Sequence, residues 1–170
     1  MKTKRVIVVP YDLNWAYAFE QIAGEIQNVL GDLAVKIHHV GSTSVPGMSA
    51  KPIIDLDVEI RNESVLPAVI ARLAEIGYEH EGNLGIVGRE AFRYDDKNHL
   101  MKHHLYVCSS DSAELKRHLT FRDYLREHPE EAKEYSAVKE EAARRYPDSI
   151  DDYISYKSDC IEKIYQKCGL

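Results

Sequence analysis

The segment Ile53–Ile60 constrains the fold most, because it places Asp55, Asp57 and Glu59 in an otherwise strongly apolar run. Such a run is typical of a central β-strand. Residues two apart on a strand point to the same face, so Asp55 and Asp57 project together while Leu56 and Val58 face the opposite side. A charge on a buried strand is costly unless it is paired or bound to a cation. A hard divalent ion such as Mg²⁺ suits two neighbouring carboxylates, which predicts a metal site here.

A turn rich in small residues begins at Gly41-Ser42, and twelve residues separate this pair from Asp55. Gly41 allows close approach of the backbone, and Ser42, Thr43 and Ser44 supply hydroxyl and amide donors that can cradle a phosphate. Lys51 follows the turn and adds a cation. A Gly-Ser turn alone is also compatible with a plain loop. Beside two carboxylates, it predicts a metal-assisted phosphate or nucleotide site.

Composition favours a single domain over residues 1–170, because this length suffices for one hydrophobic core. The net charge of −6 argues against a protein that mainly binds nucleic acid. No apolar run reaches the roughly 18 residues that span a bilayer, and residues 6–9 are too short for a signal peptide. Cys108, Cys160 and Cys168 are odd in number and form no C-x-x-C pair, which favours reduced thiols in the cytoplasm.

The hydrophobic pattern predicts an α+β protein with a mixed sheet and a helical C-terminal half, residues 111–170, as a subdomain. Helices are expected over residues 14–30, 64–76, 111–127, 129–145 and 149–167. Strands are expected over residues 34–40, 52–60, 86–87, 90–94 and 101–108, and residues 6–9 read as a strand or an extended lead-in. The expected helix-start signals are Asn14, Asp111 with Glu114, Pro129, and Ser149 with Asp152.

The spacing of the Gly-Ser turn and the Asp-x-Asp strand resembles the nucleotidyltransferase superfamily that includes DNA polymerase β. More closely, the chain resembles the GrpB family over nearly its whole length. The segments that carry this resemblance are Pro10-Tyr11-Asp12 with Trp15, His39–Gly47, Ala50–Asp55, and Phe121–Arg126 with His128-Pro129. A related domain occurs fused to dephospho-CoA kinase in some bacteria, which hints at nucleotide or coenzyme metabolism.

The resemblance implies a nucleotidyltransferase-like mixed sheet flanked by helices. It implies that the turn grips the triphosphate of an NTP donor and that Asp55 and Asp57 hold Mg²⁺ or Mn²⁺. It also implies a third acid on a later strand. The strand over residues 101–108 has no Asp or Glu, and its same-face residues include His104 and Tyr106. Members of the family commonly have His-x-His at this place.

The later strand carries several histidines. His99, His103 and His104 could form a zinc or manganese site, but neighbours on a strand point in opposite directions, so His103 and His104 do not easily share an ion. His104 is the candidate that faces the cleft, as a metal ligand, a proton carrier or a structural hydrogen-bonding group. His39 adjoins the turn and is expected to orient it.

Two arginines are candidate phosphate contacts. Arg122 falls within the apolar stripe of its predicted helix, so its guanidinium needs an anionic partner. That partner is either a substrate phosphate or a carboxylate such as Asp123 of a neighbouring element. Arg93, on a strand near the cleft, has the same two alternatives. The charge-rich run over residues 127–145 is interpreted as a solvated helix face with Tyr135 on its buried side.

The sequence favours a Mg²⁺-dependent nucleotidyltransferase that moves a nucleotidyl group from an NTP to a small-molecule or protein acceptor. Its catalytic candidates are Asp55, Asp57 and His104. The missing third acid favours an alternative, a non-catalytic nucleotide- or metabolite-binding module on a degenerate transferase fold. A third hypothesis is a metal-dependent phosphohydrolase that uses His104 as its base. The residues leave open whether the protein is an enzyme, and they identify neither the nucleotide base, the acceptor nor the oligomeric state.

Overall fold

A five-stranded mixed sheet forms the centre of the fold in the computed structural model, which describes residues 5–170. The strands are β1 Lys36–Val40, β2 Ile54–Ile60, β3 Glu79–Gly82, β4 Glu90–Arg93 and β5 His103–Ser109, in the spatial order β1-β2-β5-β4-β3. β2 is antiparallel to β1 and parallel to β5, and the remaining pairs are antiparallel. The segment with the two aspartates is therefore an inner strand, as its apolar composition predicts.

Five α-helices surround this sheet, which confirms the expected α+β class. They are α1 Asn14–Leu30, α2 Leu66–Glu75, α3 Ala113–Glu127, α4 Pro129–Arg145 and α5 Ile150–Lys167. Short 3₁₀ turns cover Gly31–Leu33, Ser42–Ser44 and Glu63–Val65. Within the described part of the chain, no helix is both long and apolar enough to cross a bilayer.

The main hydrophobic core lies between the sheet and the first two helices. α1 contributes Ile22 and Ile26, which are completely buried, and β2 contributes Leu56 and Val58 from its apolar face. Because side chains alternate along a strand, Asp55 and its same-face neighbours point away from this core. The core thus fixes which face of β2 is left for the candidate site.

A second hydrophobic cluster packs the C-terminal helices over the turn that follows β1. Val45 and Met48 from the loop after that turn contact Leu125 of α3, Tyr135 of α4 and Ile164 of α5. The loop is also fastened by polar contacts to α4. These contacts place the three C-terminal helices over the face of β2 that carries the aspartates.

Two of the expected helix starts are confirmed. Pro129 occupies the first turn of α4, where its missing N–H costs nothing. Ser149 caps α5, because its hydroxyl oxygen accepts the N–H of Asp152 at 3.3 Å. Both signals involve only residues at the start of a helix, and each helix begins where its signal predicts.

Two other expected caps are wrong in detail. α1 begins at Asn14, but Asp12 supplies the cap, since its Oδ1 atom accepts the Asn14 N–H at 2.9 Å. At α3 the cap is Ser112 and not Asp111, because the Ser112 hydroxyl accepts the N–H of Leu115 at 3.2 Å. In both cases a neighbouring side chain of equal capping ability takes the position.

One expected strand is wrong, because residues 86–87 lie in a turn. Residues 6–9 make one isolated bridge, between Val9 and Ala50, which agrees with the extended lead-in and not with a strand. The edge strand Glu79–Gly82 was not predicted, because it is short and entirely polar or glycine and so shows no alternation.

Candidate functional site

The pairing of the inner strands brings the predicted site residues together. In the parallel β2–β5 pair, Asp55 lies opposite His104 and Asp57 lies opposite Tyr106. On the other side of β2, Val40, the last residue of β1, lies opposite Asp55. The Gly-Ser turn therefore begins directly beside the first aspartate.

Gly41 is required in this turn for two reasons. Its φ of +74° and ψ of −177° lie in a region that is essentially restricted to glycine. A Cβ atom there would also overlap the Oδ2 atom of Asp55. The glycine thus allows the backbone of the turn to lie against the carboxylate.

Hydrogen bonds within the turn keep its shape. The Ser44 hydroxyl donates to the Gly41 carbonyl at 2.5 Å, and the Ser44 N–H donates to the same oxygen at 3.1 Å. The Thr43 hydroxyl is bonded to His39 Nε2 at 2.9 Å, which agrees with an orienting role for this histidine. The hydroxyl of Ser44 is therefore occupied by the turn itself.

Two arginines of α3 fasten the turn from outside. Arg122 donates to the carbonyl of His39 at 3.1 Å, and Arg126 donates to the carbonyl of Ser44 at 2.9 Å. Burial and the nearby charge of Arg126 lower the pKa of His39 to about 4, so its imidazole is neutral. Arg122 also pairs with Asp123 at 2.8 Å, a residue of its own helix and not of a neighbouring element. This places Arg122 behind the turn.

The two aspartates have different surroundings. Asp55 is half-buried, and its Oδ1 atom lies 2.9 Å from His104 Nδ1. Asp57 is completely buried, and its Oδ2 atom lies 2.5 Å from His118 Nδ1 of α3. Within residues 5–170, its Oδ1 atom has no hydrogen-bond partner. A buried carboxylate oxygen without a partner is costly, and a bound cation would satisfy it.

His118 was not identified from the sequence. Burial alone would lower its pKa, but the hydrogen bond and the charge of Asp57, with the charge of Glu114, outweigh burial and raise it. The hydrogen bond between His118 and Asp57 satisfies one oxygen of the carboxylate and joins α3 to the sheet.

The free carboxylate oxygens of Asp55 and Asp57 suit a metal ion that is coordinated partly by the protein and partly by a substrate. Asp57 Oδ1 is free of hydrogen bonds, and Asp55 has used one of its two oxygens on His104. Among the residues that the structure describes, no group of three or more His, Cys, Asp or Glu side chains could hold a metal. Mg²⁺ commonly takes one or two carboxylates together with substrate phosphates, so two aspartates suffice for such a site.

The three neighbouring histidines do not form a cluster. His99 lies 2.9 Å from a carboxylate oxygen of Glu25, and His103 Nε2 lies 2.7 Å from the hydroxyl of Tyr78. His104 alone of the three reaches the Asp55 side of the sheet. The alternation of side chains along the strand explains this separation.

A cavity of about 320 Å³ opens between the turn, β2 and the C-terminal helices. The predicted site residues that line it are Gly41, Ser42, Thr43, Lys51, Asp55 and His104. Asp57 lies behind His118, and Arg93 lies outside, paired with Glu79 at 2.5 Å. Five cationic side chains line the cavity, Lys51, Arg89, Arg117, Lys139 and Lys157, against one carboxylate. In a chain of net charge −6, this local excess of positive charge predicts an anionic ligand.

Three of these side chains are lysines, and the charges of neighbouring lysines act on Lys139 and on Lys157. Lys139 is 2% exposed, and its Nζ atom has no hydrogen-bond partner among the described residues. Burial, with the charge of Lys157, lowers the pKa of Lys139 to about 7. Burial, with the charge of Lys51, lowers the pKa of Lys157 to about 8. A buried amine without a hydrogen-bond partner is unfavourable, so Lys139, with Lys51 and Lys157 beside it in the cavity lining, is suited to hold a ligand with several negative charges.

Lys139 and Lys157 were also missed in the sequence, although a signal was present. Lys139 lies four residues after Tyr135 and three before Ala142, so it falls on the buried stripe of α4. Lys157 lies four residues after the buried Tyr153 on α5. The run over residues 127–145 is therefore not simply a solvated face.

The fold of this chain is nucleotidyltransferase-like. The Cid1 poly(U) polymerase, in complex with its short product ApU, has a similar fold, with a TM-score of 0.54 over 76% of this chain and 40% of that one. At 10% identity, this likeness concerns the fold alone.

The chain belongs to the GrpB family, because the family model described as GrpB protein matches residues 5–167. The crystal structure of the conserved protein GrpB from Enterococcus faecalis is 36% identical, with a TM-score of 0.84 over 95% of this chain and 96% of that one. The UPF0157 protein YqkA of Bacillus subtilis is 37% identical over 94% of this chain. This chain spans about half of that relative, 46% of its length.

We expect Gly41→Ala to destabilise the protein more than Gly47→Ala, as measured by urea unfolding. Both glycines have positive φ, +74° and +82°, but only a Cβ at position 41 meets other atoms within 4 Å. The strained backbone costs about 1–3 kcal/mol at either position, and the overlap with Asp55 adds to it at the first. Equal losses would show that the carboxylate does not press against the turn.

Proposed function

We propose that this protein is a Mg²⁺-dependent nucleotidyltransferase that binds an NTP in the cavity and transfers its nucleotidyl group to an acceptor hydroxyl. The observation that carries the proposal is the set of five cations and one carboxylate beside the Gly-Ser turn. The GrpB family and the fold of a poly(U) polymerase support the same class of reaction by analogy.

The phosphate chain of the donor would lie among the lysines. Lys51 in the loop before β2, Lys139 of α4 and Lys157 of α5 line one cavity, so one polyanion can contact all three. The N–H groups of Ser42 and Thr43 have no acceptor within the described residues and can donate to phosphate oxygens. Negative charge on the ligand would restore full protonation of the buried amines.

The aspartates would hold the metal, and His104 would handle the proton. A divalent ion on Asp55 and Asp57 would neutralise phosphate charge near the reacting phosphorus. Asp55 orients His104 through Nδ1, which leaves Nε2 to accept the proton of an acceptor hydroxyl. His104 thus stands where the resemblance calls for a third acid.

One observation favours a second candidate, a nucleotide-binding module without catalysis. Tyr106 lies opposite Asp57 on β5, and His118 already occupies one oxygen of that aspartate. A site with two carboxylates, one of which has an oxygen bonded to His118, could still bind a nucleotide after losing the ability to transfer a nucleotidyl group. Release of pyrophosphate during turnover would exclude this candidate, whereas saturable binding without release would support it.

The proposal is tested by thermal shifts of the wild type and of Asp55→Asn and Asp57→Asn. With an NTP at 100 times its dissociation constant, we expect Mg²⁺-dependent stabilisation of about 2.7 kcal/mol in the wild type. The shift should vanish in both variants, because each removes a ligand of the metal. Asp96→Asn, at an exposed turn, is the control and should keep the full shift. Unchanged binding of metal and nucleotide in both site variants would exclude the proposed site.

Lys139→Met should stabilise the ligand-free protein and weaken nucleotide binding at least tenfold. The amine is buried without a partner, so its replacement by an apolar chain of similar length removes an unfavourable charge. A gain of about 1 kcal/mol raises the melting temperature of a domain of this size by about 2–4 °C. Lys133→Met changes an exposed lysine of the same helix and should alter neither property. A loss of stability together with normal binding would show that Lys139 is structural.

Nucleotide affinity should fall as the pH rises from about 7 to about 9. The free cavity loses protons in this range, because the pKa of Lys139 is about 7 and that of Lys157 is about 8. Phosphates favour the charged amines, so binding takes up protons and becomes weaker when protons are scarce. Calorimetry in buffers of different protonation enthalpy would measure this uptake, which should decrease in Lys139→Met. An affinity that stays constant or rises with pH would contradict the assignment.

A further inference from the structure

The side chains that line the cavity include few groups able to distinguish one nucleobase from another. Apart from Asp55, its polar lining consists of cations, hydroxyls and two histidines, and among the described residues there it has no Asn, Gln or Glu. Asn and Gln read the edge of adenine, Asp and Glu read that of cytosine, and Arg or Lys reads that of guanine. A hydroxyl rotates to donate or to accept, so it does not discriminate between them.

The two arginines of the cavity are held by other groups. The guanidinium of Arg89 lies 4.1 Å from the ring centre of Tyr106, and that of Arg117 lies 5.1 Å from the ring centre of Tyr165. Arg117 also pairs with Glu114 at 3.6 Å. A guanidinium with its face on a ring presents its N–H edge to phosphate oxygens, which it matches well.

The aromatic residues near Arg117 can stack on a base without distinguishing it from the other bases. Phe121 and Tyr165 lie 5.1 Å apart, ring centre to ring centre, and both line the cavity. Stacking on such rings tolerates every base, because every base has a π-face. Any base bound here would therefore add affinity and little selectivity.

We infer that the cavity recognises its ligand by the phosphate chain and not by the base, so that inorganic tripolyphosphate and all four NTPs bind it. This inference rests on the proposed function, because it assumes that the phosphates lie among Lys51, Lys139 and Lys157. The buried and unpartnered Nζ atom of Lys139 gives the phosphate chain its deepest contact in the cavity. The ligand class is thus a linear polyphosphate, with or without a nucleoside.

The test is calorimetric titration of the full chain with ATP, GTP, CTP, UTP, inorganic tripolyphosphate and adenosine at one free Mg²⁺ concentration. We expect the four NTPs to bind within about threefold of one another, far below the 10- to 200-fold that one pocket contact can supply. Tripolyphosphate should bind within about tenfold of ATP, the equivalent of about 1.4 kcal/mol, and adenosine should not bind. Lys139→Met should weaken all five polyphosphates by a similar factor, and Lys133→Met should not.

The possible outcomes separate the inference from the proposed function. If one nucleotide binds more than tenfold tighter than the others, or if tripolyphosphate fails while an NTP binds, the inference is overturned and the proposed function stands. If no polyphosphate binds in this titration or in its repeat at a saturating Mg²⁺ concentration, both are overturned. If binding is equal among polyphosphates but insensitive to Lys139→Met, the ligand lies elsewhere and the inference is again overturned.

Discussion

The position of β2 between an antiparallel and a parallel neighbour is the constraint on which the site depends. The antiparallel pairing with β1 brings the Gly-Ser turn against Asp55, and the parallel pairing with β5 brings His104 to the same carboxylate. The apolar face of β2 is fixed by the core beneath α1, so the register cannot slip by one residue without burying the aspartates there. The same packing that stabilises the fold therefore aligns the polar groups.

Positive charge is concentrated around one cavity of this acidic chain, and this concentration lowers the stability of the ligand-free protein. An acidic chain gathers five cations around one cavity, and three of them are amines whose pKa burial lowers. Across the sheet face, Asp57 is buried with one oxygen on His118 and one without a partner. The unpartnered amine of Lys139 lines the cavity, and the unpartnered oxygen of Asp57 lies behind His118, which also lines it. Buried polar groups without partners lower the stability of the ligand-free protein. A ligand with phosphates and a divalent cation would supply the missing partners, which explains why such groups are kept at a binding site.

Features that depend on adjacent residues were predicted from the sequence, whereas features that depend on contacts between distant residues were not. The turn at Gly41 and the strand that carries Asp55 were predicted, because each is defined by a few adjacent residues. The polar edge strand Glu79–Gly82 was not, since pairing with β4 and not its own composition makes it a strand. His118 and Lys139 were missed because their roles arise when helices far along the chain fold over the sheet. The helical spacing of Lys139 from its buried neighbours indicates a buried position, but its charge favoured the interpretation of an exposed one.

A crystal structure grown with Mn²⁺ and a non-hydrolysable NTP analogue would locate the metal and the nucleotide directly. We expect an anomalous peak between Asp55 and Asp57, with the triphosphate extending from that ion to Lys139 and Lys157 beside the Gly41 turn. A nucleotide bound outside this cavity, or a metal bound without either aspartate, would contradict the central claim that the cationic cavity and the two carboxylates form one nucleotide site.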